Sequence, residues 1–276
     1  MAVKPPLGMV PNPAHPLSNG LVSALLFNNS YTDYMGATPG SGLTGNPCAS
    51  VGPDGSAILS QIISTGEGSP PSPCAVYFPP SSHVPPNNGC PITVMAGCMS
   101  LDPFDTATGA TGENDNEQRL ISYGDSNGNV LGFGITTLNA ATPGEPSLFW
   151  TALGDHVDSV FSNELTGFAA SQWMIIGCSQ SAANARTFFK DGVFETNTQQ
   201  AWTTAAIDYT AGLQVGDGNW NGGDGGCYWN GYISWIIVWL RALSQAEMLE
   251  VYNTPFVMFG SYSPPGVLQV DEAIGA

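Results

Sequence analysis

Apolar residues along this chain come in short runs, most of them 4–9 positions long, separated by stretches rich in Gly, Pro, Asn and Ser. Runs of that length bounded by turn residues predict strands, and the spacing between them predicts an all-β chain. The first strand is residues 20–27 (GLVSALLF), followed by loop to residue 55 and weaker strands over 57–63 and 75–78. Residues 91–101 (PITVMAGCMSL) form a continuous apolar run, the pattern of a strand covered on both faces. After a polar loop over 102–117, residues 118–123 and 130–137 flank the turn GDSNGN and predict a hairpin. Further strands are predicted over 147–153, 172–179, 185–190, 193–195, 212–216 and 231–240. Proline clusters keep residues 70–91 at an edge or on the surface.

One short helix breaks the β pattern, over residues 245–252. Ser244 and Glu247 form an S-x-x-E capping box, Leu243 and Met248 fall at staple positions, and Pro255 stops the helix. The two ends read differently again. Residues 1–19 hold five prolines and no strand-length apolar run, so they form an extended arm; residues 256–276 form another. Residues 20–255 form one domain between them, and no repeat of 20 to 50 residues is present.

The strand at 231–240 is unusual. By alternation, Trp235, Ile237 and Trp239 share one face while Ile236, Val238 and Leu240 share the other, so both faces require burial. Something must therefore cover the outer face. Either the chain's own arm or a third layer does so, or Trp235, Ile237 and Trp239 form an assembly interface with another subunit.

The closing half of the chain carries a resemblance. The run QWMIIGCSQSAANARTFFKDGVFE, then GLQVGDG, then NGYISWIIVWLRALSQAEMLEVY resembles laminin-G-like, concanavalin-A-type jelly rolls. The matching positions are Trp173, Asp191, Gly192, Gly231, Ile233, Ile236, Val238, Trp239, Arg241, Ala242, Leu243, Ser244, Glu247 and Tyr252. The opening, NPAHPLSNGLVSALLFN, is similar to the lead-in of such domains in virion proteins of tailed bacteriophages. The resemblance implies a two-sheet antiparallel β-sandwich of roughly six or seven strands per sheet, with one short helix and extended arms.

Charge narrows the partners. Lys+Arg 5 against Asp+Glu 22 gives a net charge of −17, which repels phosphate backbones and anionic lipid, so neither nucleic acid nor membrane is an expected partner. No apolar segment approaches the roughly 20 residues that span a bilayer as a helix, and no signal peptide is recognised. The six cysteines include no C-x-x-C pair, and without an export signal they are expected as mostly free, buried thiols.

Candidate chemistry is sparse. Glu113, Asp115 and Glu117 match the E-x-D-x-E spacing of glycoside hydrolases with this superfold, where two carboxylates about 5 Å apart support retaining hydrolysis. Here Asn114 and Asn116 interleave them and TGATG precedes them, which reads as solvated loop. The loop DGNWNG starting at Asp217 fits the first half of an EF-hand, but position twelve is Tyr228, so an EF-hand is excluded. Asp217 and Asp224 are left as ligands for a looser calcium site. In the same loop Trp220, Tyr228 and Trp229 alternate with Asn221, Asp224 and other polar groups, the residue types of a glycan site. The histidines His15, His83 and His156 lie in loops with no triad pattern. The expectation is a non-enzymatic virion-surface protein, a capsid decoration or attachment component that contacts other virion proteins and self-associates. The alternative is a carbohydrate-binding adhesin, with a host-surface glycan as partner.

Overall fold

The computed structural model describes residues 3–6, 8–28, 33–35, 41–42, 48–60, 62–63, 72–73, 76–78, 91–101, 117–124, 130–136, 146–152, 159–164, 168–182, 185–195, 213–216 and 229–260. In chain order the strands are β1 (Leu21–Leu25), β2 (Ser41–Gly42), β3 (Cys48–Gly52), β4 (Gly55–Ser60), β5 (Ile62–Ile63), β6 (Ser72–Pro73), β7 (Val76–Phe78) and β8 (Ile92–Ser100). They continue with β9 (Glu117–Gly124), β10 (Val130–Thr136), β11 (Ser147–Ala152), β12 (Ser159–Glu164), β13 (Met174–Ala182), β14 (Ala185–Lys190), β15 (Val193–Glu195), β16 (Leu213–Val215) and β17 (Gly231–Trp239). Helix α1 (Gln245–Asn253) follows, and single 3-10 turns lie at Pro16–Ser18 and Val257–Phe259.

These strands make two antiparallel sheets. The first runs β15-β14-β13-β8-β17-β4-β3, with β1 also paired to β17; the second runs β12-β11-β10-β9-β16-β7-β2. A separate pair, β5 with β6, completes the strands described. Strand β17 is the hinge of the first sheet. Its whole length pairs with β8, while on its other edge β4 takes Gly231–Ile233 and β1 takes residues 236–239. The expected β-sandwich is therefore present, as are the β9–β10 hairpin and the capped helix. The hairpin β3–β4 differs from the expected loop before residue 56. Its first strand, CASVG, has too few large apolar residues to signal itself, and the pairing is set by the Pro53-Asp54-Gly55 turn.

Apolar side chains from both sheets meet in one core. Ile92, Val94, Ala96, Ile176, Ile233, Ile236 and Val238 from the first sheet face Leu120, Phe133, Ile135, Leu148, Trp150 and Val215 from the second. Cys98 and Cys178 lie in this core as free thiols, and burial pushes the Cys98 thiol well up from its ordinary value. That agrees with the expectation for these two cysteines.

A second cluster occupies the opposite face of the first sheet. Trp235, Ile237 and Trp239 lie there fully buried beneath Leu17, Met248, Val251, Phe256, Met258 and Phe259. The expected assembly interface is thus an internal one: the chain's two end segments and α1 form a third layer over it. Complete burial of such side chains is worth about 2 kcal/mol each, so nothing in this stripe is left for an outside partner. The alternation that predicted the stripe holds from Trp235 onward but is displaced by one residue before it. A bulge between Ile233 and Trp235 inserts Ser234, which lets Ile233 and Ile236 both point into the sandwich.

Directional contacts fix the third layer. The Trp239 indole N–H donates to the Leu17 carbonyl at 2.7 Å. Arg241 donates to the carbonyls of Asn19 and Pro16 and pairs with Glu247 at 2.7 Å. The Asn12 amide donates to the Met258 carbonyl at 2.7 Å, joining the two end segments. His15, buried, places Nε2 3.6 Å from Glu250 Oε1 on α1. Lys4 is buried too, and its ammonium donates to the carbonyl of Ser56 and, at 2.7 Å, to that of the bulged Ser234.

Candidate functional site

Where the third layer stops, a cleft opens on the outer face of the first sheet. Its floor is at Gly97 on β8. The neighbouring Trp235 indole lies so close that a Cβ at residue 97 would stand 2.4 Å from its Nε1, so only glycine fits there. Gly177 on β13 does the same for Met95 and for Met248 of α1. Two missing side chains thus shape the face on which the helix and the cleft sit.

Four elements supply the walls. The cleft has a volume of about 240 Å³ and is lined by Pro53 and Asp54 from the β3–β4 turn, Trp173, Met174 and Ile175 from the start of β13, Asp191 from the β14–β15 turn and Tyr252 from α1. Trp173 is half-buried, with its ring 6.2 Å from that of Tyr232, so its orientation is set by an aromatic neighbour. Tyr252 is held against Phe189 at 5.7 Å and over Gly192, whose φ of +88° admits the tight turn.

The two carboxylates are anchored differently. Asp191, at φ 46°, accepts the Ile175 amide at 2.7 Å through Oδ1 and the Lys190 ammonium at 2.9 Å through Oδ2, while its own amide donates to the Ile175 carbonyl. Asp54 lines the cleft from the β3–β4 turn. Burial raises its carboxyl above the ordinary value, against the opposing attraction of the Lys4 ammonium and the Trp235 indole. For Lys4, burial lowers the ammonium to about 8, partly offset by Asp54. The cleft therefore offers aromatic surface and two carboxylates, Asp191 fixed by its hydrogen bonds, and no lysine or arginine among its lining residues. Such a surface can stack on an apolar ring face and accept hydrogen bonds from hydroxyls.

The residues singled out in the sequence fall elsewhere. Asp217, Trp220, Asn221, Asp224 and Tyr228 lie outside the described residues, as do Glu113 and Asp115. The root of their loop is described: the Gly216 amide donates to the Leu120 carbonyl, and the Trp229 amide closes the loop onto the Gly216 carbonyl at 3.1 Å. Trp229 itself is fully buried in the sandwich core, so its ring cannot serve as a sugar platform as the alternation of aromatic and polar residues suggested. Glu117 is the first residue of β9, with its backbone opposite Thr136. Among the described residues no group of three or more His, Cys, Asp or Glu stands close enough to hold a metal ion. No described helix is long and apolar enough to cross a membrane.

Sequence reasoning had named Trp173, Asp191 and Tyr252 only as marks of the fold. It missed Asp54, whose one signal is the Pro-Asp-Gly turn that carries it.

No family model matches the chain, and no curated protein matches its sequence. Solved structures do share its fold. Domain 4 of a GH43 extracellular arabinanase from Geobacillus stearothermophilus, in complex with arabinotriose, is similar over 84% of this chain and 98% of its own, at 14% identity and a TM-score of 0.58. The binding domain of Paraclostridial Mosquitocidal Protein 1 is similar over 86% of this chain and 52% of its own, at 14% identity and a TM-score of 0.57. The binding domain of botulinum neurotoxin serotype G is similar over 84% of this chain and 50% of its own, at 13% identity and a TM-score of 0.52. The chain thus spans nearly the whole of the first of these and about half of each of the others, and at these identities what they share with it is the β-sandwich fold.

Proposed function

We propose that this protein is a carbohydrate-binding β-sandwich module that acts by holding a sugar rather than cleaving it. The observation that carries the reading is the cleft on the outer face of the first sheet, where the half-buried Trp173 and Tyr252 converge with the carboxylates of Asp54 and Asp191. A pyranose or furanose ring offers an apolar face for an aromatic side chain and edge hydroxyls for carboxylate acceptors. The volume of about 240 Å³ suits one or two sugar units. The likeness to an arabinanase domain in complex with arabinotriose lends support from the fold. The loop of Trp220, Asn221, Asp224 and Tyr228 is proposed as a separate glycan contact, with Asp217 and Asp224 as candidate calcium ligands.

The virion reading rested on the outer face of β17 and on the opening segment. That face is covered by the chain itself, so the fold lends the reading no support.

Glycan binding measured by titration calorimetry, with hydrolysis followed in parallel, tests the proposal. Trp173→Ala should abolish binding while the far-ultraviolet circular dichroism and the unfolding transition stay in place. Undiminished binding by a folded Trp173→Ala protein would remove the cleft as the site. Trp220→Ala, with and without calcium, reports separately on the loop, and release of reducing sugar by the intact protein would count against a purely binding role.

A further inference from the structure

We infer that the ligand of this protein is an uncharged glycan, and that sialylated, uronate-bearing and sulfated sugars are excluded. The inference rests on the carbohydrate-binding reading above and specifies its ligand class. Its basis is an account of the lysine and arginine side chains.

The sequence holds five cationic side chains, Lys4, Arg119, Arg186, Lys190 and Arg241. All five are described, and each is committed within the fold. Lys4 is 5% exposed and donates to the carbonyls of Ser56 and Ser234. Arg119 is 1% exposed and lies over the Phe149 ring, 5.9 Å from its centroid. Arg186 is 6% exposed, and its Nε donates to Gln180 Oε1 at 2.8 Å. Lys190 is 8% exposed, pairs with Asp191 and also attracts the partly buried Glu195. Arg241 holds Glu247 and the carbonyls of Asn19 and Pro16.

A carboxylate, sulfate or phosphate is held most strongly by a desolvated donor with positive charge, an arginine fork or a lysine. Among the described residues neither lysine beside the cleft is free: Lys190 is bound to Asp191, and Lys4, next to Asp54, donates to the Ser56 and Ser234 carbonyls. The other common anion seat, a helix N-terminus, is filled as well: Glu247 of α1 accepts the Ser244 amide at 2.8 Å and the Ser244 hydroxyl at 2.9 Å. Against this stand two carboxylates at the cleft and a net charge of −17, whose field acts over about 8 Å at physiological salt. An acidic sugar therefore meets repulsion without compensation, while a neutral sugar meets only acceptors for its hydroxyls.

The test uses the intact protein and matched glycan pairs, each a neutral oligosaccharide and its sialylated, uronate or sulfated derivative, titrated with calcium and again with EDTA. The acidic member should bind at least about tenfold more weakly than its neutral parent, and the gap should narrow as salt is raised. Acidic glycans bound as tightly as their parents, in either buffer, overturn the inference and leave the carbohydrate-binding reading standing. Binding to no glycan of either kind overturns the carbohydrate-binding reading itself, and this inference with it.

Discussion

The two faces of strand β17 are both fully buried, yet they are covered by different means. Ile233, Ile236 and Val238 face a second sheet across a core of aliphatic and aromatic side chains, with Gln118 at its edge accepting from Ser100 and from the Asn230 amide. Trp235, Ile237 and Trp239 face α1 and the two irregular end segments, and there three polar clamps accompany the apolar contacts. The Trp239 indole reaches Leu17, the Lys4 ammonium reaches the bulged Ser234, and Arg241 reaches Asn19. A sheet presents a regular surface whose ladders already fix its side chains. An arm of prolines has no ladder of its own, so its position depends on individual hydrogen bonds. The cleft lies on the clamped side, at the edge of the third layer.

Removing residues 1–19 is the harshest way to break this comparison. It strips Leu17 from the outer stripe and removes the Lys4 and Trp239 contacts, and the expected loss is about 5 kcal/mol, from three large side chains left partly exposed at roughly 2 kcal/mol each. Denaturant unfolding and dye binding read it out. A truncated protein as stable as the whole would show that the end segment is not a structural layer. Single substitutions sharpen the contrast. Ile236→Ala should cost about 4 kcal/mol because two rigid sheets cannot close on the cavity, whereas Ile237→Ala should cost about 2 kcal/mol because the arm can settle toward it. Equal losses would mean the third layer is as rigid as the sandwich.

The third measurement concerns Lys4. Its folded-state ammonium titrates at about 8 against 10.5 in the unfolded chain, so between those values the unfolded state binds more protons. Stability attributable to this group must then rise with pH across that window and be flat below it. Comparison with Lys4→Met, in which the rise should vanish, isolates the effect, expected at about 2 kcal/mol by pH 10. A rise that persists in Lys4→Met would assign it to another group.

How far these features can be read from sequence differs along the strand. The doubly apolar run at 235–239 announced that both faces are covered, and the capping box placed α1 to within a residue of its observed end. What covers the outer face was not legible, because Leu17 and Trp239 are 222 residues apart and no local pattern pairs them. The bulge at Ser234 left a trace only in hindsight: Ile233 and Trp235 have the same parity but face opposite ways. The cleft shows the same limit. Trp173, Asp191 and Tyr252 were visible as separate marks of a fold, but their convergence with Asp54 is a product of four turns and termini meeting over Gly97. The aromatic-rich loop drew attention through composition, and its one described ring, Trp229, turned out to belong to the core.

The smallest effect tests the joint between helix and clamp. Ser244 accepts the Glu247 amide at 3.3 Å, and Glu247 returns to the Ser244 amide and to Arg241, which in turn holds Asn19 and Pro16 of the first end segment. Burial pushes the Glu247 carboxyl up, but the Ser244 amide and hydroxyl and the Arg241 guanidinium together bring it below its ordinary value of 4.5. A depressed carboxyl contributes stability that is complete above 4.5 and is lost as pH falls through the lower folded value. Ser244→Ala removes one cap bond and should cost about 1 kcal/mol at neutral pH. It should also weaken the acid-side slope, since one of the groups holding the carboxylate is gone. Glu247→Gln keeps the helix but not the charge, and it should erase that slope while leaving α1 formed. If both variants keep the full slope, the acid sensitivity belongs to the sandwich and the clamp through Arg241 does not couple the helix to the end segment.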